Sequence, residues 1–426
     1  MRRVFSEAKL AARCRSDKEL DLSSLGTSHN RVLSGMRPTG KLHLGHYHGV
    51  LKNWLRLQQE HECFFFVADW HALTTHYDER EVIADSVWEM LTDWLACGIN
   101  PSLARVFIQS RVPEHAELHL LLSMITPLGW LERVPTYKDQ QDKLREKDLA
   151  TYGFLGYPLL QSADILIYRA QGVPVGEDQV AHVEITREVA RRFNHMFGQE
   201  PGFEQKAMDA SRRMGKKNNK LYQQLRRKYQ EQGDQEALEV ARALVQGQQN
   251  ITLADRERLY GYLDGTGVVI LPEPQAMLTP ASKMPGLDGQ KMSKSYGNTI
   301  ALRDEPDEVD RKIRTMPTDP ARVRRTDPGE PEKCPVWSFH QVYSDESTRD
   351  WVQQGCRSAG IGCLDCKKPV IDAVRAELAP IRERGRELEQ DRDAVRAVVD
   401  EGIEAARDAA RDTMEEVRRV MGLDYR

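Results

Sequence analysis

No stretch of this 426-residue chain approaches the roughly 18 consecutive apolar residues that a membrane-spanning helix requires, and its mean hydropathy is −0.60. A transmembrane protein is therefore not expected. The dinucleotide fingerprint G-x-G-x-x-G is also missing, which leaves a nicotinamide cofactor unsupported. Neither sign of charge is in excess: 61 Lys and Arg stand against 65 Asp and Glu, a formal net charge of −4. Any contact with nucleic acid must then come from local basic patches. The N-terminus, Met1-Arg-Arg-Val-Phe, lacks an apolar core for a signal peptide, and Glu7, Asp17, Glu19 and Asp21 argue against a transit peptide. The expectation is a cytoplasmic protein whose residues 1–30 form an extension with no assigned role. Cysteine is sparse, seven in all, and in that compartment the thiols are not read as disulfides.

Two stretches far apart in the chain carry the chemistry. In Arg31-Val-Leu-Ser-Gly-Met-Arg-Pro-Thr-Gly-Lys-Leu-His-Leu-Gly-His46, Val32 and Leu33 end an apolar strand. Gly35, Pro38 and Gly40 mark a turn, and a helical pattern starts at Leu42. A strand, a glycine-containing loop and a helix start aim free N–H groups and a positive dipole end at phosphate. Gly45 leaves room for a nucleoside to approach the backbone. His43 and His46, three apart, share one helix face, where they can donate to phosphate oxygens that gain charge in a transition state. The plainer reading is a capped helix with two surface histidines. The second stretch is Lys291-Met-Ser-Lys-Ser295, between Pro285, Gly286, Gly289 and Gly297. It reads as a mobile basic loop that closes on a triphosphate, or as an ordinary solvated loop.

Together, His43-Leu-Gly-His46 and Lys291-Met-Ser-Lys-Ser295 resemble the two motifs of class I aminoacyl-tRNA synthetases, within them the bacterial tryptophanyl type. The resemblance implies an α/β fold: a Rossmann-like doubly wound parallel sheet plus a C-terminal all-helical domain. It also implies ATP with Mg²⁺, L-tryptophan and tRNA(Trp) as ligands, and a homodimer. His43, His46, Lys291 and Lys294 match its catalytic positions. Arg37, Pro38, Thr39, Gly45, Gly176, Glu177, Asp178, Met292, Ser293 and Ser295 complete its ATP site. Lys138, in the polar Thr136-Tyr-Lys-Asp139 stretch, matches a lysine-bearing loop over the nucleotide, or is a surface lysine.

The residues independently suggest alternating strands and helices, hence a parallel sheet covered on both faces. Glu62-Cys-Phe-Phe-Phe-Val-Ala68 reads as a buried strand ending at Asp69-Trp-His71, where such sheets present site residues. Residues 80–98 read as a helix and Arg105–Gln109 as the next strand. Tyr157, Gln161 and Asp164 fall on one helix face. An Asp between Ala163 and Ile165 is costly to bury without a donor, and the indole N–H is a donor only. A carboxylate facing it would reject phenylalanine, which leaves that acceptor unpaired. The resemblance assigns Asp164 this role, with Tyr157, Gln161, Gln179, Gly35, His71, Val173 and Val175 around the amino acid. Gly172-Val-Pro-Val-Gly-Glu-Asp-Gln179 is a strand, a glycine and three polar residues opening a helix.

Between Gln179 and Lys291 the chain is far longer than the few dozen residues of the resembled family. The division expected is 31–199 for the first part of the catalytic domain, 200–266 for an insertion, 267–305 for the second catalytic part and 306–426 for an anticodon-binding helical domain. The insertion opens with Lys206, Arg212, Arg213, Lys216, Lys217, Lys220, Arg226, Arg227 and Lys228. It reads either as a contact for tRNA phosphates or as a solvated helical hairpin. Cys334, Cys356, Cys363 and Cys366 cluster. Four thiols suit a [4Fe–4S] cluster, as in some members of the resembled family, with zinc or no metal as alternatives. Lys367 and Lys368 beside them are available for phosphate. Trp337, Phe339 and Tyr343 offer either a stacking surface for bases or core. The C-terminal helical stripes break at Pro380 or Gly385. Rival readings are a tyrosyl enzyme, a small-molecule nucleotidyltransferase and a non-catalytic RNA-binding paralogue.

Overall fold

Residues 30–78, 80–134, 151–198, 202–265, 267–278 and 284–425 are described by a computed structural model. The expectations on residues 1–29, and that on Lys138, lie outside them. Among the described residues, five short strands form one fully parallel sheet: β1 (Arg31–Met36), β2 (Glu62–Val67), β3 (Ala104–Ile108), β4 (Gly172–Val175) and β5 (Gln275–Leu278). Their order is β3-β2-β1-β4-β5. Strand order therefore reverses between β1 and β4, and a crevice opens at the carboxyl ends of those two strands. Strand β2 is buried on five successive residues, as a strand covered on both faces must be.

Strand β1 runs further than its apolar residues suggest. Gly35 and Met36 pair with Phe66 and Val67, and a Cβ on Gly35 would lie 2.5 Å from the Phe66 ring. The following helix also starts later than Leu42. A short turn (Leu44–His46) and a π-helical turn (Tyr47–Leu51) lead into α1 (Lys52–Glu60). Next come α2 (Asp69–His76), α3 (Arg80–Cys97), α4 (Glu114–Ser123), α5 (Leu128–Glu132), α6 (Tyr152–Ile167) and α7 (Val180–Phe197). Thr151 caps α6 by accepting from the Phe154 N–H.

The insertion holds four helices: α8 (Phe203–Arg213), α9 (Lys216–Gln232), α10 (Gln235–Gln246) and α11 (Leu253–Asp264). They enclose a small core of their own, with Tyr222, Leu238, Ala241, Val245, Leu259 and Leu263 at its centre. The C-terminal region holds α12 (Pro306–Arg314), α13 (Pro335–Tyr343), α14 (Glu346–Arg357), α15 (Cys363–Gln390) and α16 (Arg392–Val420). Helix α15 does not break at Pro380 or Gly385 but continues to Gln390. Packing overrides the local signal: α15 lies along α3, and a Cβ on Gly385 would strike the Arg303 Cδ at 2.5 Å. Helix α16 lies on β3 so closely that a Cβ on Gly402 would meet the Val106 carbonyl at 2.0 Å. Phe339 is fully buried and Trp337 nearly so, while the half-buried Tyr343 donates to Glu377 at 2.7 Å. These aromatics are core, not a platform for bases.

Candidate active site

The loop after β1 fixes both histidines of the first motif through the backbone. His43 is an extended N-cap whose Nδ1 accepts from the Gly45 N–H at 3.1 Å. The His43 N–H in turn donates to His46 Nδ1 at 3.3 Å. This is a reciprocal cap, as in a capping box, rather than two neighbours on a helix face. It brings the rings to 3.9 Å between centroids. Because each Nδ1 accepts, each Nε2 carries the proton and is a donor. Burial, reinforced by Lys294, lowers His43 to about 4. Burial, then His43, Lys294 and Lys291, lowers His46 to about 3. Both imidazoles are thus neutral donors near pH 7. The space at Gly45 is filled from within: a Cβ there would meet the His43 ring at 2.9 Å and the Met292 Cβ at 3.4 Å.

The second motif, reached from edge strand β5, packs directly on the first. Leu44 N–H donates to the Ile300 carbonyl and Leu302 N–H to that of Leu42, each at 3.0 Å. Lys294 Nζ donates to the Thr39 carbonyl at 2.7 Å, and burial lowers its pKa to about 8. The loop is braced rather than loose. Asn298 accepts from the Ser293 N–H at 2.8 Å and donates to Asp288 at 2.7 Å and to the Lys291 carbonyl at 3.2 Å. Behind it, Asp93 accepts from the Leu42 N–H at 3.1 Å and from Arg303 at 2.6 Å. The exposed Gly176, Glu177 and Asp178 follow β4, across the crevice from the β1 loop.

The other end of the crevice is built on α6. Asp164 is 1% exposed and accepts from three donors. His71 Nε2 lies 2.7 Å from Oδ2, while Gln109 Nε2 and His115 Nδ1 lie 2.8 and 2.6 Å from Oδ1. Burial alone would raise Asp164, but the donors His115 and His71 outweigh it and hold the carboxyl well below its ordinary range. It is an ionised acceptor. Val173 and Val175 are buried on β4. Tyr157 sits one turn before Gln161, its hydroxyl 3.2 Å from His182 Nε2. Gln109 and His115 were not legible as site residues. Gln109 directly follows β3, the position where such a sheet presents functional groups; nothing in the sequence marks His115.

Two kinds of comparison decide the family. A profile of the class I tRNA synthetases (W and Y) matches residues 26–222 and 234–379. A tryptophan–tRNA ligase of Ralstonia nicotianae is 68% identical over 93% of this chain and 99% of its own. The chain belongs to the tryptophan–tRNA ligase family. Another member, from Thermotoga maritima, is 46% identical over 93% of this chain and 100% of its own. The solved tryptophanyl-tRNA synthetase of Campylobacter jejuni, a complex with ADP and tryptophan, superposes with a TM-score of 0.69 at 27% identity, over 92% of this chain and 100% of its own.

In this member of the family, Cys334, Cys356, Cys363 and Cys366 line one cavity of about 20 Å³ together with Arg322. Arg322 Nη1 approaches Cys356 Sγ at 3.8 Å. Cys363 and Cys366 occupy the first turn of α15, and burial beside the other thiols pushes Cys366 up to about 12. Among the described residues, no three His, Cys, Asp or Glu side chains are arranged to hold a single metal ion. Lys367 is not available for phosphate: it is buried, and Nζ donates to the Arg314 and Met316 carbonyls at 2.6 and 2.7 Å. Lys368 is exposed. The basic run of the insertion is partly occupied too. Arg226 donates to the Tyr262 carbonyl at 2.7 Å and lies 3.6 Å over the Tyr262 ring. Arg212, Arg213 and Arg227 pair with Asp209, Asp255 and Glu231. Lys216, Lys217, Lys220 and Lys228 are exposed.

Proposed function

We propose a division of labour among these residues for an ATP-dependent tryptophan–tRNA ligase. The tryptophan carboxylate attacks the α-phosphorus of ATP, giving tryptophanyl-adenylate and pyrophosphate. A hydroxyl of the terminal ribose of tRNA(Trp) then attacks the carbonyl carbon of the adenylate, forming the ester and releasing AMP. No protein nucleophile is needed; positioning and charge stabilisation lower the barrier. His43 and His46 donate Nε2–H to phosphate oxygens, while Lys291 and Lys294 supply positive charge. Arg37, Pro38, Thr39, Gly176, Glu177, Asp178, Met292, Ser293 and Ser295 hold the nucleotide, with Mg²⁺ entering on the triphosphate. Asp164 accepts the indole N–H. Tyr157, Gln161, Gln179, Gly35, His71, Val173 and Val175 surround the amino acid.

The observation that carries this reading is the meeting of both motifs and a buried, ionised Asp164 around the carboxyl ends of one parallel sheet. Tryptophan-dependent ATP–pyrophosphate exchange tests it. Exchange with tryptophan and none with tyrosine is expected; exchange with tyrosine at comparable kcat/KM would overturn the assignment of Asp164.

Four thiols around one cavity suit a [4Fe–4S] cluster, with zinc or no metal as the alternatives. Cys334, Cys356, Cys363 and Cys366 would hold it, and it would tie α13, α14 and α15 together without a redox role. Protein purified without oxygen should contain about four iron and four sulfide per chain; one zinc and no sulfide would decide for the alternative. Leu120, Met124 and Leu128, each more than half exposed, offer an apolar face for a second copy of the chain in a homodimer. The exposed lysines of α9 are proposed to touch tRNA phosphates. Among the described residues no helix is long and apolar enough to cross a membrane, and we assign the enzyme to the cytoplasm, where its tRNA substrate is.

A further inference from the structure

We propose that His115, held by Tyr168, is the positioning residue that turns one oxygen of Asp164 toward the amino-acid side chain, and that this pair sets the preference for a ring bearing an N–H. The inference rests on the reading of Asp164 as the indole acceptor. Its starting point is a hydrogen-bond chain that the ligase reaction does not itself require. The Tyr168 hydroxyl lies 2.6 Å from His115 Nε2, and His115 Nδ1 lies 2.6 Å from Asp164 Oδ1. Tyr168 and His115 are both fully buried.

The direction of the chain follows from its ends. Asp164 is an acceptor, so His115 Nδ1 carries a proton and donates. The only partner of the Tyr168 hydroxyl among the described residues is His115 Nε2. If Nε2 also donated, the buried O–H would have no acceptor, a costly state. Tyr168 therefore donates to Nε2, which leaves the ring proton of His115 on Nδ1.

The consequence for Asp164 is geometric. Rotation about the terminal bond of an Asp side chain is broad and nearly two-fold, so nothing intrinsic decides which oxygen faces the pocket. Here Oδ1 accepts from both His115 and Gln109, which fills its two lone pairs. Among the described residues Oδ2 accepts from His71 alone, and His71 follows β2 in α2. One lone pair of Oδ2 is left for a ligand N–H. The chain behind it cannot swing: Tyr168 stacks on Phe64 at 4.7 Å, and His115 lies 6.1 and 6.2 Å from the Phe66 and Phe107 rings.

The test compares L-tryptophan with 3-(1-benzothiophen-3-yl)-L-alanine, an isostere whose ring sulfur replaces the N–H. The quantity measured is the ratio of the two kcat/KM values in ATP–pyrophosphate exchange. Both values come from one sample, so the ratio is independent of how much of a variant is folded. Wild type should favour tryptophan by on the order of 10⁴. A ratio below about ten in wild type would mean that no ring N–H acceptor operates, and would overturn the reading of Asp164 itself. Given a large wild-type ratio, Tyr168→Phe and His115→Leu should each lower it about 10- to 100-fold, the loss expected of one hydrogen bond to a charged group. That loss should appear in KM for tryptophan, with KM for ATP unchanged. His115→Asn places an amide N–H near the Nδ1 position and should restore most of the ratio. An unchanged ratio in Tyr168→Phe and in His115→Leu, or no rescue by His115→Asn relative to His115→Leu, would overturn the positioning role while leaving Asp164 as the indole partner.

Discussion

At the scale of single residues, the site's electrostatics are set chiefly by burial. Lys294 is lowered to about 8, chiefly by burial. As pH rises through that value, the free enzyme loses one of the charges proposed to meet the triphosphate. The kcat/KM for ATP is expected to fall above about pH 8 in pyrophosphate exchange. Lys294→Arg, whose guanidinium keeps its charge, should flatten that limb of the profile even where it lowers the plateau. His43 and His46 give a prediction for stability. Burial lowers them to about 4 and about 3 from an ordinary 6.5. Below 6.5 the unfolded chain takes up protons that the folded chain refuses. Their contribution is complete above 6.5 and is lost as pH falls through the folded values. Replacing both by Asn should make the urea midpoint less sensitive to pH between 6.5 and 4. An unchanged slope there would show that the imidazoles are not held neutral.

At the scale of elements, the insertion separates structural from available cations. Arg226 is engaged with the Tyr262 carbonyl and ring, so Arg226→Ala should destabilise the four-helix unit by about 1–3 kcal/mol. It therefore makes a poor probe of RNA contact. Lys216, Lys217 and Lys220 are exposed on α9. The triple Lys→Glu variant should weaken tRNA binding and flatten its dependence on salt, with amino-acid-dependent exchange unaltered. An unchanged salt slope would return α9 to a solvated helix. The second motif's loop owes its shape to Asn298, 3% exposed and bonded to both sides of the turn. Asn298→Ala should release Lys291 and Lys294 together, lowering kcat/KM for ATP by about tenfold or more, with KM for tryptophan little changed.

At the scale of the whole molecule, the insertion meets the back of the catalytic unit across a charged cleft. Glu257 of α11 sits there near Arg169, Arg256 and Glu416, and burial raises it to about 7 from an ordinary 4.5. The folded state binds this proton more tightly than the unfolded one. Stability is therefore lost as pH rises from about 4.5 through about 7. Glu257→Gln should raise stability at pH 8 by about 1–3 kcal/mol and have little effect near pH 5, read from urea unfolding at the two pH values. Equal effects at both would place the cost in packing rather than in ionisation.

The sequence by itself determined the parts whose physics is local. Five consecutive buried residues made β2 readable, the spacing of Tyr157, Gln161 and Asp164 placed them on one helix face, and the motifs at 43–46 and 291–295 named the chemistry. Tertiary structure decided what depends on distant partners. It made His43 a cap instead of a face residue and used the space at Gly45 for the chain's own Met292. It kept α15 helical through Pro380, because packing against α3 outweighs one lost backbone hydrogen bond. It buried Lys367 against two carbonyls and laid Arg226 over a tyrosine ring. Above all it brought His71, Gln109 and His115, from three separate segments, onto one carboxylate. A buried charge must find donors wherever the fold supplies them; strand ends mark the positions of His71 and Gln109, but nothing in the linear order pairs them, or His115, with Asp164.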